Sequence, residues 1–212
     1  MAILIDPEKF EIERAASFLR SLPKETTHLF VGGSTVPEGM TEALVKELKL
    51  YTAKPIILFP GNVSQITRHA DGLLFLSLLS GRNPEYLIEQ HIKAVPKLRG
   101  TSLEIIPTAY ILIEGGNESA VANVTHTAPL PQEDIPLIVD TAKAGEWMGK
   151  KLVYLEAGSG AKNPVSPEIV SAVKKELSIP LIVGGGIKTE AQLKQTYEAG
   201  ADMIVMGTAF EK

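Results

Sequence analysis

The chain contains no cysteine among its 212 residues, so it can form neither a disulfide framework nor a thiolate metal site. Residues 1–6 also lack the basic and apolar regions of a signal peptide. The longest apolar run, residues 72–79, is far shorter than the roughly 20 residues that a membrane helix needs. These absences favour a cytoplasmic protein without a transmembrane segment.

An excess of positive charge is also lacking. The chain has 21 lysines and arginines against 25 acidic residues, and the resulting net charge of −4 has the wrong sign for a nucleic-acid-binding surface. We therefore expect no nucleic-acid partner and a small-molecule substrate. The four histidines show no zinc-type spacing, so we assign them no part in a mechanism.

Short apolar runs alternate with amphipathic segments along the whole chain. This is the pattern of repeated βα units around a parallel sheet. A chain of 212 residues with 44% hydrophobic residues can bury one large core. We therefore predict a single (β/α)8 TIM barrel domain over residues 1–212, of the α/β class, with helices between the strands. The eight strands are predicted near residues 3–5, 29–31, 56–59, 73–76, 103–106, 152–155, 181–183 and 203–205.

Two parts of the chain depart from the regular repeat. The connection after the fifth strand, residues 114–131, is much longer than a turn, so we expect it to cover the mouth of the barrel. The sequence stops at Lys212, just after the eighth strand, so the outer helix layer is predicted to be incomplete at the C-terminus. Either a neighbouring subunit covers that face or the sequence is a trimmed chain, and we favour the second interpretation.

Three glycine-rich turns follow consecutive predicted strands in the last third of the chain. They are residues 154–160, 184–187 and 207–208. Backbone amides that no side chain obstructs can converge on the oxygens of a phosphate, and strands six to eight of a barrel are where such a site is expected. A turn that needs positive φ explains any one of these glycines. Their joint placement favours a phosphate site.

Tyr154 and Glu156 lie two residues apart on the sixth predicted strand, so their side chains point to the same face of the sheet. Val153 and Leu155 point to the other face. If that aliphatic pair packs under the helices, the polar pair enters the barrel. Glu156 is then either a functional carboxylate or a core acid satisfied by a buried hydrogen bond or ion pair.

Polar motifs after the first three strands complete a wider pattern. They are Asp6 with Pro7, residues 32–35 and residues 60–62. Together with the three glycine-rich turns, they resemble the geranylgeranylglyceryl phosphate synthase family, including its heptaprenyl-transferring relatives, over essentially the whole chain. The resemblance implies a magnesium-dependent enzyme that joins a prenyl diphosphate to the primary hydroxyl of sn-glycerol 1-phosphate. It also implies a homo-oligomer, either a dimer or a hexamer.

The resemblance further implies which residues do this chemistry. Asp6 and Ser34 would hold Mg²⁺, which prefers oxygen ligands and keeps water and phosphate oxygens around it. The alternative is that Asp6 caps a helix that begins at Pro7 and that Ser34 is an ordinary turn hydroxyl. Glu156 would take the proton from the glycerol hydroxyl, and Tyr154 would orient that hydroxyl or stabilise an allylic cation. The residues expected to bind sn-glycerol 1-phosphate are Tyr154, Leu155, Glu156, Ala157, Gly158, Ser159, Gly160, Gly185, Gly186, Gly207 and Thr208.

Two other functions stay open at the level of sequence. The chain could be another phosphate-binding barrel enzyme that acts on a sugar phosphate, although Lys162 and Lys188 lie in turns and not on a strand where a Schiff-base aldolase needs its lysine. It could also be a noncatalytic polyprenyl-phosphate binding module. The sequence does not identify the donor length, for which we expect twenty carbons. Arg82 is compatible with lining the prenyl or diphosphate side of the site or with an ion pair to an acid on the rim. Trp147 is compatible with a place in the core or with a subunit contact.

Overall fold

The computed structural model describes residues 1–207 and Phe210, and its eight parallel strands form a closed barrel in chain order. The barrel closes where β8 pairs with β1, with Ala2 opposite Val205 and Ile3 opposite Met206. The predicted (β/α)8 barrel is therefore confirmed. The strands are β1 Ala2–Ile5, β2 His28–Val31, β3 Ile56–Leu58, β4 Gly72–Leu78, β5 Glu104–Leu112, β6 Leu152–Glu156, β7 Leu181–Gly184 and β8 Met203–Met206.

Helices follow most of the strands. They are α1 Ala15–Ser21, α2 Met40–Lys49, α3 Glu89–Leu98, α4 Ala120–Thr125, α5 Ile135–Trp147, α6 Pro167–Glu176 and α7 Glu190–Glu198. The prediction of a helix between β3 and β4 is wrong, because that connection contains only a 3-10 turn, Val63–Gln65. The Asn62 side chain accepts a hydrogen bond from the Ser64 amide at 2.8 Å and so stabilises a turn in place of a helix.

Several helix ends carry standard capping chemistry. Ser166 caps α6 by accepting from the Ile169 amide at 3.3 Å, and Thr189 forms a reciprocal capping box with Gln192 at the start of α7. Gly149 and Gly200 have φ of +87° and +109°, as expected for glycines that end helices. These local signals therefore fix where the outer elements begin and end.

The core lies on both faces of the barrel sheet. Phe30, Leu74 and Tyr154 belong to the cluster inside the barrel, whereas Val153 and Leu155 belong to a cluster that packs against the outer helices. The alternation predicted for β6 is therefore confirmed. β5 extends six residues beyond its predicted end at residue 106, because the strand continues to Leu112.

Two features concern the limits of the described chain. Among the described residues, no helix combines the length and the apolar character that crossing a membrane requires. The predicted gap in the outer layer concerns residues after Gly207, and of these the structure describes Phe210 alone.

Candidate active site

A cavity of about 670 Å³ lies at the carboxyl ends of the strands. This is the end of a (β/α)8 barrel at which active sites are built. The cavity brings together residues from both ends of the sequence, including the three polar motifs after the first strands and residues of the three glycine-rich turns. The predicted site residues that line it are Asp6, Ser34, Tyr154, Glu156, Ser159, Gly160, Gly185, Gly186 and Gly207.

The other predicted site residues lie elsewhere. The side chains of Leu155 and Ala157 pack into the core behind β6, so only their main-chain atoms could reach a ligand. Gly158 donates its amide to Glu156 Oε1 at 2.7 Å. Thr208 lies outside the described residues.

Glu156 is the buried acid of the site, with only 6% of its surface exposed. Burial raises the pKa of this carboxyl to about 7, against the opposing effects of the Gly158 amide and the neighbouring Tyr154 hydroxyl. No ion pair offsets the burial among the described residues, since the Glu156 carboxylate contacts no lysine or arginine there. A carboxyl with a pKa near neutral pH can accept and release a proton during catalysis.

Aromatic rings surround this carboxylate on the barrel side. The ring of Tyr154 stacks on Phe59 at 5.1 Å between centroids and with 15° between planes, and Tyr110 lies 5.5 Å from Tyr154. The Tyr154 hydroxyl is close to Glu156 but makes no regular hydrogen bond to any described residue. Phe59 and Tyr110 were missed in the sequence, although β5 pairing places Tyr110 directly beside Tyr154.

The glycine-rich turns after β6 and β7 touch each other. Gly185 has φ of +83°, and a methyl group on its Cα would press against Glu156 Oε1 and lie 2.7 Å from the Gly158 nitrogen. Only glycine therefore fits between the two turns. Gly186 and Gly160, with φ of +73° and +69°, continue the same cavity wall. This wall has little side-chain bulk, so a ligand can approach its backbone closely.

Asp6 and Ser34 face the cavity on the opposite side. Asp6 Oδ1 accepts from the Glu8 amide at 3.1 Å, and Oδ2 lies 3.3 Å from Lys9 Nζ. No helix begins at Pro7, so Asp6 does not cap a helix as the alternative supposed. Its side chain instead closes a turn. A side chain at Gly33 would collide with Asp6 Oδ1 at 2.8 Å. Glycine at this position therefore keeps the carboxylate accessible.

The donor atoms on this side fit a magnesium ion whose ligands come partly from the protein and partly from the substrate. It consists of one carboxylate and one hydroxyl, both oxygen donors. In residues 1–207 and 210, no group of three or more His, Cys, Asp or Glu side chains could form an all-protein metal cage. Mg²⁺ tolerates so few protein ligands because it keeps water and phosphate oxygens in its coordination shell.

An apolar groove extends the cavity away from the polar residues. It passes between β4 and α3, next to the connection that lacks a helix, and is lined there by Ile66, Phe75, His91 and Ala94. The His91 ring packs edge-on against Phe75 at 4.4 Å, and His91 Nε2 lies 3.2 Å from Ser77 Oγ. The sequence assigned His91 no part in a mechanism, and the structure makes it part of the groove wall. The sequence did not predict this groove.

The long connection after β5 closes another side of the cavity, as expected. It contains α4, which Ser119 caps by accepting from the Ala122 amide at 3.4 Å. Val121 and Val124 of this helix line the cavity, so the segment adds apolar surface to the groove. The bridge between Ile113 and Leu130 holds the two ends of the segment together.

The structure also places Arg82 and Trp147, which the sequence left open, and Lys188, which was expected in a turn. Arg82 donates to the carbonyls of Leu79 and Gly81 at 2.8 Å, so it caps its own turn and pairs with no rim acid among the described residues. Trp147 is 80% exposed and is therefore not a core anchor. Lys188 lines the cavity from a turn, where its Nζ donates to the Ala161 carbonyl at 3.0 Å.

A closed (β/α)8 barrel whose upper cavity combines a buried carboxylate with glycine-rich strand-end turns defines a phosphate-binding barrel enzyme. The PcrB family model matches residues 1–212, so the chain belongs to the PcrB family. The family resemblance inferred from the motifs is therefore confirmed.

Proteins of known identity are similar to this chain over its full length. The geranylgeranylglyceryl phosphate synthase of Zunongwangia profunda is 60% identical over 211 residues, which cover 100% of this chain and 90% of that protein. The crystal structure of (S)-3-O-geranylgeranylglyceryl phosphate synthase from Thermoplasma acidophilum, in complex with sn-glycerol-1-phosphate, has a TM-score of 0.91 and 36% identity, with coverage of 100% and 85%. Wild-type GGGPS from Thermoplasma volcanium has a TM-score of 0.92 and 37% identity, with coverage of 100% and 86%.

Proposed function

We propose that this protein transfers a prenyl group from a prenyl diphosphate to the primary hydroxyl of sn-glycerol 1-phosphate, the first ether bond of an isoprenoid lipid. The observation that carries the proposal is the buried Glu156 carboxyl, whose pKa is raised to about 7 at the junction of a glycine-rich wall and an apolar groove. One cavity thus offers a base, a phosphate site and a hydrocarbon site. The similarity to a synthase crystallised with sn-glycerol-1-phosphate supports the choice of acceptor.

The glycine-rich wall would hold the acceptor. Gly160, Gly185, Gly186 and Gly207 line this part of the cavity, and their main-chain amides would bind the phosphate. With the phosphate held there, the far hydroxyl of the three-carbon glycerol unit can reach Glu156. Glu156 then removes the proton as the oxygen attacks the allylic carbon.

The donor would occupy the other half of the cavity. The allylic carbon–oxygen bond breaks as the new ether bond forms, and diphosphate leaves with the bonding electrons. Asp6 and Ser34 would hold Mg²⁺, which would supply charge neutralisation for this leaving group. The neighbouring rings of Tyr154 and Tyr110 would lie near the carbon that becomes electron-poor, where aromatic faces are favourable. The groove between β4 and α3 would take the apolar tail, for which we propose twenty carbons.

The direct test is a transfer assay. The protein is incubated with Mg²⁺, radiolabelled sn-glycerol 1-phosphate and donors of ten to thirty-five carbons, and the organic-soluble product is extracted. We expect labelled lipid with the twenty-carbon donor and none after removal of Mg²⁺ with a chelator. Absence of organic-soluble label with every donor would overturn the proposal, and product in the presence of the chelator would overturn the magnesium assignment alone.

A further inference from the structure

Gln65 is a polar side chain in the interior that the mechanism above does not use. It ends the 3-10 turn that replaces a helix between β3 and β4, and only 1% of its surface is exposed. Both polar atoms of its carboxamide bind the same residue, Gly33, on the neighbouring loop after β2. Gly33 donates its amide to Gln65 Oε1 at 3.2 Å, and Gln65 Nε2 donates to the Gly33 carbonyl at 2.7 Å.

This pairing joins three strand-end loops at the side of the cavity that carries Asp6. Gly33 lies directly between Asp6 on the first loop and Ser34 on its own loop. Gly61 of the third loop packs so closely on Gly33 that an added methyl group would be 2.5 Å from the Gly33 carbonyl and 2.9 Å from the Ser34 carbonyl. The conformation of residue 33 therefore determines where the Ser34 hydroxyl lies relative to the Asp6 carboxylate.

We propose that Gln65 is a positioning residue for the diphosphate end of the donor. Its carboxamide makes two hydrogen bonds with the Gly33 backbone, as a neighbouring strand would, and so holds Ser34 beside Asp6. The inference rests on the proposed function, since it assigns the donor's diphosphate to this side of the cavity. It adds a residue that touches no substrate and acts through the Gly33 backbone.

The two hydrogen bonds with Gly33 explain why residue 65 is a glutamine. A glutamine offers one acceptor and one donor at the end of a side chain, which matches the donor and acceptor of a single backbone residue. A glutamate carboxylate of the same shape accepts from the Gly33 amide but cannot donate to the Gly33 carbonyl. It would then leave two oxygens facing each other and bring a negative charge near the diphosphate.

The experiment compares Gln65→Glu with the wild-type protein in the transfer assay. We expect the KM for the prenyl diphosphate to rise at least about tenfold and the KM for sn-glycerol 1-phosphate to stay within about twofold, because the glycine-rich wall lies across the cavity. Lowering the pH towards 6 protonates the new, buried carboxyl and restores a donor for the Gly33 carbonyl. The ratio of variant to wild-type donor KM is therefore expected to fall as the pH falls.

Two further variants separate positioning from general effects. Gln65→Met keeps the length of the side chain without its polar atoms, so we expect a raised donor KM with no recovery at low pH. Gln195→Glu, at an exposed position of α7, makes the same change of charge far from the cavity and is expected to leave both KM values unchanged.

The outcomes distinguish this inference from the proposed function. Suppose that the wild-type protein is active. If both Gln65 variants then have an unchanged KM for the donor, or if the KM values for donor and acceptor rise equally, the role of Gln65 is overturned and the proposed function is not. If the wild-type protein produces no lipid, the proposed function fails, and calorimetry with Mg²⁺ and inorganic diphosphate tests Gln65 instead. Equal diphosphate affinity in the wild-type protein and in Gln65→Glu would then rule out the positioning role.

Discussion

The basicity of Glu156 follows from its burial. Inside the barrel its charged form loses hydration, and the single amide of Gly158 compensates only in part, so its pKa rises to about 7. A surface glutamate would be a weak base at neutral pH. The aromatic rings and glycine-rich turns around Glu156 therefore adjust its basicity as well as shape the cavity.

At the residue scale, Glu156→Gln is expected to lower kcat at least about 100-fold, because the new amide cannot accept the proton of the glycerol hydroxyl. Its oxygen can still accept from the Gly158 amide, so the affinity for sn-glycerol 1-phosphate should change less than about threefold. Steady-state kinetics and calorimetry measure the two effects. Glu198→Gln, at an exposed position, is the control. Full turnover in Glu156→Gln would show that another group is the base.

The raised pKa of Glu156 also predicts how activity and stability depend on pH. In the proposed mechanism the carboxylate is the active form, so kcat/KM should rise with pH through about 7. The unfolded chain holds this proton less tightly than the folded one, so Glu156 lowers the free energy of unfolding as the pH rises from about 4.5 to about 7. Glu156→Gln should therefore stabilise the protein at pH 8, by an amount on the order of 3 kcal/mol, and not at pH 4. Thermal or urea unfolding at both pH values checks the sign, and equal stability of the two proteins at pH 8 would contradict it.

At the scale of elements, the turns after β6 and β7 act as one unit. The backbone of Gly185 fills the space between Glu156 and the turn that contains Gly158, and each turn holds the other in place. The sequence predicted that the turns would meet, because consecutive parallel strands end at the same edge of the sheet. It could not predict that their contact also packs against the Glu156 carboxylate.

Gly185→Ala tests this contact, with Gly149→Ala as the matched control. Both glycines have similar positive φ, +83° and +87°, but an added methyl group meets close neighbours only at position 185. The control should cost about 1–2 kcal/mol of unfolding free energy from backbone strain alone. We expect Gly185→Ala to cost at least about 2 kcal/mol more and to raise the KM for sn-glycerol 1-phosphate about tenfold. Similar urea-unfolding curves for the two variants would show that crowding at position 185 is unimportant.

At the scale of the whole molecule, the outer surface carries an apolar area at the end of α5. Trp147 is 80% exposed and Met148 is 67% exposed, and the Lys143 ammonium lies 5.8 Å from the Trp147 ring. Exposed tryptophans are enriched where one protein subunit contacts another. The family resemblance predicted a homo-oligomer, and this surface is where we expect copies of the chain to meet.

Trp147→Glu should therefore lower the molar mass in solution, because it places a charge in an apolar contact. Trp147→Phe keeps an aromatic ring and should retain the mass of the wild-type protein. Light scattering after gel filtration measures both. An unchanged oligomeric mass in Trp147→Glu would place the subunit contact on another face.

Much of the fold and part of the site depend on signals that lie close together in the chain. The alternation of apolar runs and amphipathic segments predicted the barrel, and the parity of β6 predicted that Tyr154 faces inward. The prediction for the β3–β4 connection was wrong because it assumed a regular repeat, whereas the turn at Asn62 ends in a buried side chain that binds a distant loop.

The sequence by itself determined the order of the strands, the glycine-rich turns and the presence of a carboxylate inside the barrel, since each follows from backbone geometry over a few residues. Only the tertiary structure decided the near-neutral pKa of Glu156, the groove between β4 and α3 and the pairing of Gln65 with Gly33 across 32 residues. The physical reason is that desolvation, cavity shape and long-range hydrogen bonds depend on which strands and loops become neighbours. No local pattern in the chain records those neighbours.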